Sequence, residues 1–243
     1  MNYKSNFCVL LLAVFALQAF AEDSGFLQTD YELLKPAGAG FSANALVYLA
    51  PGATESVGKY DSVIVDYPEL FISPDSKYKG MKSDTVSSLS AELRAALVQG
   101  IASQYEVVEN PGNNVLYMRF AVTHLYIEKP KRGLMSFTPV GAVASAAKSA
   151  RSEFIGKNTL VEMKLEAEML DSMSGEVLFA VVLSTGQRKD KARDLDADPA
   201  TWDELFAATQ GLGARLGCRL NNAHLPEDGR ADCLAISLDA GGH

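Results

Sequence analysis

Residues 159–170 have the sequence TLVEMKLEAEML, and this stretch decides the fold because apolar and charged side chains alternate along it. Successive side chains of a β-strand point to opposite faces of the sheet. The apolar side chains that share one face are Val161, Met163, Leu165, Ala167 and Met169. The charged side chains that share the other face are Glu162, Lys164, Glu166 and Glu168. We expect the apolar face to cover a core and the charged face to be solvated, rather than to carry paired catalytic carboxylates.

The segments around this strand supply its partners and its covering layer. Further strands are predicted at 45–50, 62–67, 105–109, 115–127 and 177–184. One helix is predicted over 83–104, where apolar residues recur every three or four positions, and a second helix is predicted to start at 198–199. The order β-β-α-β-β-β-β-α predicts a two-layer α+β domain with a mostly antiparallel sheet and two main helices.

The chain is expected to form one domain over residues 22–243, with an irregular N-terminal segment at 22–44 and a C-terminal tail at 225–243. Its 243 residues and 48% hydrophobic content suit a single domain with a buried core. The 22 basic and 30 acidic residues give a net charge of -8. Proteins that bind nucleic acid usually carry a basic patch, so this charge balance argues against nucleic acid as a partner.

The first 21 residues have the pattern of a secretory signal peptide. Lys4 precedes an apolar run at Phe7–Leu17, and Ala19-Phe20-Ala21 is the small-x-small pattern that signal peptidase recognises. Cleavage after Ala21 would make Glu22 the first residue of the mature chain, whereas a buried N-terminal helix is the alternative. Because Cys8 lacks a small-residue lipobox, we expect an unlipidated exported protein in the periplasm or at the periphery of the outer membrane. No later segment approaches the ~18 apolar residues of a membrane-spanning helix.

The mature chain keeps two cysteines, Cys218 and Cys233. In an oxidising compartment such a pair favours a disulfide. Free thiols, or a metal site that includes His224, are the alternatives, but the usual short ligand spacings and a fourth ligand are missing. The sequence therefore predicts no metal ion and no cofactor.

Residues 133–147 (GLMSFTPVGAVASAA) are uncharged and are flanked by basic residues in an otherwise acidic chain. The basic residues are Lys129, Lys131, Arg132, Lys148 and Arg151. The apolar side chains expected to make contacts are Leu134, Met135, Phe137, Val140 and Val143. An apolar centre with basic flanks suits an anionic membrane surface or a protein partner. Packing over the protein's own sheet, or a lid over a ligand, are the alternatives.

Short motifs spread over most of the mature chain carry a family resemblance. They are Ser24-Gly25-Phe26-Leu27, then Tyr31, Leu33, Leu34 and Pro36, the Tyr60–Tyr67 strand, and Arg119-Phe120-Ala121-Val122-Thr123. Together they resemble a bacterial envelope family, domain-of-unknown-function family 3313 (DUF3313). The resemblance implies an exported protein, commonly a predicted lipoprotein, with no established activity and no catalytic residues to carry over. This chain departs from that pattern because it lacks a lipidation cysteine.

Motifs for catalysis are weak or missing. Residues 38–43 match the dinucleotide pattern G-x-G-x-x-A, but the predicted order of loop, glycines and strand lacks the helix that would cradle a pyrophosphate. The serine-hydrolase motif G-x-S-x-G does not occur. His124 lies on the apolar parity of its predicted strand, which favours a structural histidine over a catalytic one.

These observations predict a non-enzymatic accessory or scaffold protein of the bacterial envelope. Its expected partner is an envelope protein, a second copy of the chain, or a membrane surface in peripheral contact. A periplasmic binding module for a small apolar or lipid ligand is the alternative function. A hydrolase without a recognised motif is less favoured, because no nucleophile and base occur at a familiar spacing.

Overall fold

The structure is a computed structural model that describes residues 23–37, 45–76, 80–128, 159–184 and 202–236. Within these ranges the strands are β1 (Lys35–Pro36), β2 (Ala45–Leu49), β3 (Ser62–Val65), β4 (Glu69–Ile72), β5 (Glu106–Val107), β6 (Val115–Glu128), β7 (Thr159–Asp171) and β8 (Val177–Ser184). The α-helices in the same ranges are α1 (Ala53–Ser56), α2 (Ser83–Ala102) and α3 (Trp202–Asn222). Short 3-10 helices lie at Tyr31–Leu33, Val57–Lys59 and Glu227–Gly229.

The strands form one sheet in the order β1-β2-β8-β7-β6-β3-β5, and β4 also pairs with β6. One edge of β6 pairs antiparallel with β7, and its other edge carries two short parallel strands in succession, β3 and then β4. Four of the seven pairings among the described residues are antiparallel. The predicted α+β class is therefore confirmed. The short strands β1 and β4 were not predicted, because prolines at positions 36, 68 and 74 interrupt the pattern around them.

Helices α2 and α3 cover one face of the sheet, which we call the helix face. The helical stripe predicted for α2 is buried there, and its fully buried members are Leu89, Leu93, Leu97 and Ile101. They pack in the same cluster as the apolar side of β7, whose members are Met163, Leu165, Ala167 and Met169. The alternation of residues 159–170 thus correctly predicts which side of β7 packs against the core.

The two long helices touch through their backbones. A Cβ atom on Gly100 of α2 would lie 2.1 Å from the Gln210 carbonyl oxygen of α3. A Cβ atom on Gly213 would lie 2.4 Å from the Leu97 carbonyl oxygen, and one on Gly217 would lie 2.7 Å from that of Ile101. Such distances leave no room for a side chain, so glycine is what permits this helix packing.

Residues 23–34, which we call the strap, cover the opposite face of the sheet. Phe26, Leu27 and Leu34 of the strap form a second apolar cluster with Ala121, Ala180 and Val182 of the sheet. The prediction that the charged face is solvated is therefore wrong for two of its residues, because Glu166 and Glu168 are both 0% exposed beneath the strap. We call this side of the sheet the strap face.

A bulge in β6 changes which side chains enter the helix-face core. The register with β7 shifts between Thr123 and Tyr126, and His124 in the bulge has a positive φ of 52°. As a result Leu125 and Ile127 are fully buried, and His124 is only partly buried. The predicted parity of this strand, which placed His124 on the apolar side, therefore fails beyond position 123, because one extra residue exchanges the two faces.

Several predictions fall outside the described residues. They concern the signal peptide at 1–21, the helix start at 198–199, and the uncharged segment at 133–147 with its basic flanks. Within the part of the chain that the structure describes, no helix has the length and hydropathy that a membrane span requires.

Candidate functional site: the buried carboxylates under the strap

The strap face carries two fully buried glutamates, Glu166 and Glu168. Strand β7 places Glu166 and Glu168 two residues apart, so both point to this face. The neighbouring strand β6 places Arg119 directly opposite Glu168, and Thr123 lies on the same face. Because a buried charge must be paired or hydrogen-bonded, the contacts of these two carboxylates determine what the site does.

Glu166 is held by three hydroxyl groups. Its Oε2 atom accepts hydrogen bonds from Ser24 Oγ at 2.8 Å and from the Tyr31 hydroxyl at 2.5 Å. Its Oε1 atom accepts a hydrogen bond from Thr123 Oγ1 at 2.6 Å. Burial, followed by the hydrogen bond to Glu166, raises the pKa of Tyr31 to about 12. Tyr31 is therefore a neutral donor over the physiological pH range, and two of the three hydroxyls belong to the strap.

Glu168 is held by a backbone amide and a guanidinium. Its Oε1 atom accepts a hydrogen bond from the Thr29 amide at 2.8 Å, and its Oε2 atom lies 3.2 Å from Arg119 Nη1. Arg119 also donates to the Phe26 carbonyl oxygen at 3.3 Å, and its guanidinium carbon lies 4.6 Å from the centroid of the Phe26 ring. A longer ion pair joins Arg119 to the more exposed Glu69 at 3.8 Å. Glu168 and Arg119 thus fix the middle of the strap through both its backbone and its aromatic side chain.

This arrangement binds a polypeptide segment, and the segment it binds is the chain's own N-terminal region. Each carboxylate contacts both the sheet and the strap, and the strap shields both carboxylates from water. Across the described ranges, no group of three or more histidine, cysteine or acidic side chains is arranged to hold a metal ion. The contacts of the two carboxylates are hydrogen bonds and a charge pair that hold the strap in place.

The predicted disulfide is present between Cys218 and Cys233, whose Cα atoms are 5.7 Å apart. It joins the end of α3 to the C-terminal tail, and both cysteines are buried. His224 does not join the cysteines as a ligand but stacks on Tyr105, with a distance of 6.0 Å between the ring centroids. Asn222 adds a second link, because its side chain exchanges two hydrogen bonds with the Ala231 backbone.

An open groove lies between β4 and the first half of α2. Its lining is mainly apolar, with one acidic side chain and two serines, and consists of Tyr67, Pro68, Glu69, Leu70, Phe71, Val86, Ser87 and Ser90. Ser90 Oγ donates to the Pro68 carbonyl oxygen at 2.7 Å and so ties the two walls together. Arg94 lies 5.0 Å from the centroid of the Tyr67 ring at one end.

The other predicted site residues lie outside the described residues. They are the cleavage-site residues Ala19, Ala21 and Glu22, and the candidate contact residues Lys129, Lys131, Arg132, Leu134, Met135, Phe137, Val140, Val143, Lys148 and Arg151. The strap site itself was not predicted. A signal for it exists in β6, because Arg119 and Thr123 share the polar parity of that strand and can complement glutamates on a neighbouring strand.

Solved structures with low sequence identity are similar to this chain over most of its length. The PelC dodecamer from Paraburkholderia phytofirmans has a TM-score of 0.37 and 10% identity, covering 76% of this chain and 99% of that one. A hemagglutinin homolog from Helicobacter pylori has a TM-score of 0.35 and 13% identity, covering 73% and 91%. A DUF4136 family protein from Bacteroides thetaiotaomicron has a TM-score of 0.31 and 13% identity, covering 70% and 97%.

Sequence comparison gives a clearer relationship. No curated protein matches the sequence. The family model described as "Protein of unknown function (DUF3313)" matches residues 22–216, which include the strap, the whole described sheet and most of α3. The resemblance noted from the short motifs is thereby confirmed, and the chain belongs to the DUF3313 family.

Proposed function

We propose that this chain is an exported, non-enzymatic accessory protein of the bacterial envelope that acts through contacts with a membrane surface or a protein partner. The observation that carries the exported part of the proposal is the disulfide between Cys218 and Cys233. Disulfides form and persist in oxidising compartments such as the bacterial periplasm and are rare in the cytosol. The family match adds support because it begins at residue 22, directly after the expected cleavage site.

The role of the buried carboxylates supports a non-enzymatic protein. A general acid or base must reach the proton that it transfers in a bound substrate. Glu166 and Glu168 are instead enclosed between sheet and strap, where their oxygens accept hydrogen bonds from both. Their contacts hold the strap on the sheet, which is a structural role.

The expected contact region is the basic and apolar segment at 129–151. Strand β6 ends beside the start of β7, because Glu128 is the register partner of Thr159. The 30 residues between them therefore leave and re-enter the sheet at one place. Five basic residues lie in the 129–151 part of this insertion, and each basic residue near an anionic membrane is worth about 1 kcal/mol.

Export is tested by fractionating cells and sequencing the N-terminus of the protein. We expect a periplasmic or outer-membrane-peripheral protein that begins at Glu22 and has no free thiol without reduction. A chain that retains Met1 in the cytosol, or one acylated at Cys8, would contradict the exported and unlipidated form of the proposal.

Membrane contact is tested by sedimenting the mature protein with anionic vesicles. We expect binding that weakens with salt, because surface charges are screened. Phe137→Glu should weaken binding further, since it places a negative charge in the apolar centre. Met173→Glu is the matched control, because Met173 is 62% exposed on the β7–β8 turn outside the segment. If both variants bind like the wild type, or nothing binds at low salt, the segment has no membrane role.

A protein partner and a bound ligand give different results in two further experiments. Crosslinking in cells that carry the tagged mature protein should recover the same envelope protein repeatedly, and deletion of 133–147 should abolish its recovery. Native mass spectrometry of protein purified from the envelope separates this role from that of a carrier. A lipid that co-purifies in defined stoichiometry would favour the carrier function over the accessory function.

A further inference from the structure

Strand β4 has one backbone edge that pairs with no other strand in the described part of the chain. Its opposite edge pairs with β6, where the Ser73 amide that follows β4 donates to the Leu125 carbonyl oxygen at 3.0 Å. Backbone groups of successive residues point to opposite edges of a strand, so the amide and carbonyl groups of Leu70 and Ile72 point away from β6. An unpaired edge of this kind is a template for a further strand.

The structure beside this edge shows where a further strand would lie. Strand β5 pairs with β3, and no described strand continues its row beside β4. After β5 ends, two side chains of α2 bind the backbone instead. Arg94 Nε donates to the Val65 carbonyl oxygen at 2.8 Å, and Ser90 Oγ donates to the Pro68 carbonyl oxygen at 2.7 Å. The edge that a further strand can use therefore begins after Pro68, at β4 itself.

The groove between β4 and α2 can take side chains of such a strand. Its volume is about 610 Å³. Leu70 and Val86 line it and are only partly buried, and Tyr67 at one end is 59% exposed. When an extended peptide adds to a sheet edge, main-chain hydrogen bonds supply affinity and pockets for alternate side chains supply specificity. An open edge and a groove along the same strand provide both.

The charges at the groove favour a basic ligand. Glu69 lines the groove, its side chain is 55% exposed, and its contact with Arg119 is 3.8 Å long. The two arginines nearby have carboxylate partners at shorter distances, since Arg119 pairs with Glu168 at 3.2 Å and Arg94 pairs with Glu109 at 3.0 Å. The exposed charges at the start of α2 are one of each sign, Lys82 and Asp84. A lysine or arginine on the ligand would therefore complement Glu69.

A second copy of this chain suits the edge less well than a peptide does. It would bring the same Glu69 and a net charge of -8. Two β4 strands of four residues would pair over only about 13 Å, and a stable interface needs about 1,200 Å² or more in total. The second copy would also extend the sheet sideways without filling the groove, whereas a single extended segment can pair with β4 and fill the groove at once.

We propose that the free edge of β4 binds an extended peptide segment of a protein partner. The segment adds to the sheet as a strand, places an apolar side chain in the groove beside Leu70 and Val86, and places a lysine or arginine near Glu69. This is a second contact site, and it depends neither on the 129–151 segment nor on export. The partner it fits carries an exposed segment in which apolar residues alternate with polar and basic ones.

The probe is a phage library that displays random peptides of about ten residues, which is longer than an ordinary strand. Selection on the purified protein should enrich peptides with alternating apolar residues and a lysine or arginine. Two versions of the strongest peptide then carry N-methyl groups on alternate amides, one version for each edge of the peptide strand. We expect one version to bind about tenfold more weakly and the other to stay within about twofold of the parent. Equal losses in both versions, or no enrichment, would overturn the proposal.

Ser87→Trp tests the groove, because Ser87 is an exposed residue of its lining. We expect the indole to fill the groove and to weaken peptide binding about tenfold. Ala95→Trp is the matched control, since Ala95 is an exposed residue of α2 outside the lining, and binding should change less than about twofold. Glu69→Gln should weaken a lysine-containing peptide about threefold and leave its lysine-to-glutamine version unchanged. Equal effects of the two tryptophans would contradict binding in the groove.

Hydrogen exchange of the protein without peptide tests whether the edge is free. We expect the amides of Leu70 and Ile72 to exchange about tenfold faster than those of Phe71 and Ser73, which face β6. Saturation with the selected peptide should slow Leu70 and Ile72 and leave the other two unchanged. If Leu70 and Ile72 are already protected, another segment of this chain or a second copy covers the edge, and the proposal is wrong. Gel filtration then distinguishes these two occupants.

Discussion

The helix face and the strap face of the same sheet are buried by different physical means. The helix face is covered by two long helices through an apolar cluster and direct backbone contact at Gly100, Gly213 and Gly217. The strap face is covered by twelve residues without a long helix, and two buried glutamates hold them. Burial of apolar area is non-directional, whereas hydrogen bonds to a buried charge require particular atoms. The helix face should therefore determine global stability, and the strap face should control a local opening.

The backbone of the strap agrees with this division. Its backbone–backbone hydrogen bonds, from the Leu33 amide to the Asp30 carbonyl and from the Leu34 amide to the Tyr31 carbonyl, lie within the strap. The strap is thus attached to the sheet by side chains and not by a strand ladder. Segments attached in this way open locally at a lower free energy than the core of a domain. Substitutions that weaken the strap should therefore raise its hydrogen-exchange rate even where they change the free energy of global unfolding little.

The largest effect is expected from Gly100→Ala on the helix face. The new Cβ atom would lie 2.1 Å from the Gln210 carbonyl oxygen and 2.7 Å from the Ala214 amide nitrogen, so the helices must move apart. We expect the free energy of unfolding to fall by about 3 kcal/mol or more, despite the better helix propensity of alanine. Urea unfolding measures the loss. Gly80→Ala is the control, because no described residue other than its chain neighbours comes within 4 Å of the new Cβ atom. An equal loss there would contradict the packing explanation.

Removal of the disulfide should have the next largest effect. The bridge closes a loop with a sequence separation of 15, and a loop of that size stabilises by about 3 kcal/mol through its effect on the unfolded chain. The variant with Cys218→Ala and Cys233→Ala should lose about that much in urea unfolding and keep its strap protected from exchange. If the strap of this variant loses as much protection from exchange as the rest of the domain, the strap and the disulfide region are not energetically separate.

Glu168→Gln should produce a smaller and local effect on the strap face. The substitution leaves Arg119 without its buried carboxylate and weakens the bond from the Thr29 amide. Because Arg119 keeps some exposure and its contact with Glu69, we expect a loss of about 2 kcal/mol instead of the larger value for a fully buried pair. Exchange should increase in residues 23–34 and stay unchanged in α2. If exchange instead increases equally in the strap and in α2, the strap unfolds together with the rest of the domain.

The smallest effect is the pH dependence of the Tyr31 hydrogen bond. Its pKa is about 12 in the folded protein and about 10 in an unfolded chain. Below about pH 10 Tyr31 is protonated in both states, so its contribution to stability is complete. Between about pH 10 and 12 the unfolded state releases the proton first, and the contribution is lost as the pH rises through 12.

The matching experiment compares the wild type with Tyr31→Phe. At neutral pH we expect the variant to be less stable by about 1.5 kcal/mol, because a hydrogen bond to a buried carboxylate is lost. This difference should shrink as the pH rises from about 10 to 12. The phenolate absorbance of the two proteins should differ by one group that titrates near 12. A constant stability difference across this range would argue against the bond between Tyr31 and Glu166.

The sequence predicts the helix face well because its information is local. The stripe of Leu89, Leu93, Leu97 and Ile101 repeats with the period of a helix, and the apolar parity of β7 repeats with the period of a strand. Two details escape such patterns. One is the bulge at His124, which exchanges the faces of β6, and the other is the spacing of Gly213 and Gly217, which share a helix face.

The strap face could not be predicted in the same way because its information is not local. The parity of β7 shows that Glu166 and Glu168 face away from the apolar core, and solvent is the default surrounding for such residues. The sequence of β7 itself gives no sign that the strap, more than a hundred residues earlier in the chain, covers these two glutamates. The alternation therefore predicts the direction of these side chains correctly and their surroundings wrongly.

The sequence separation of the strap contacts has a consequence for the order of folding. Ser24 and Glu166 are 142 positions apart, and Thr29 and Glu168 are 139 positions apart. Contacts between distant residues form slowly, because a long loop must close before they contribute. During synthesis the strap leaves the ribosome among the first residues, while β7 and β8 follow more than a hundred residues later. The first part of the mature chain to be made is therefore among the last to be buried, and until then the apolar side chains that it covers are open to contacts between molecules.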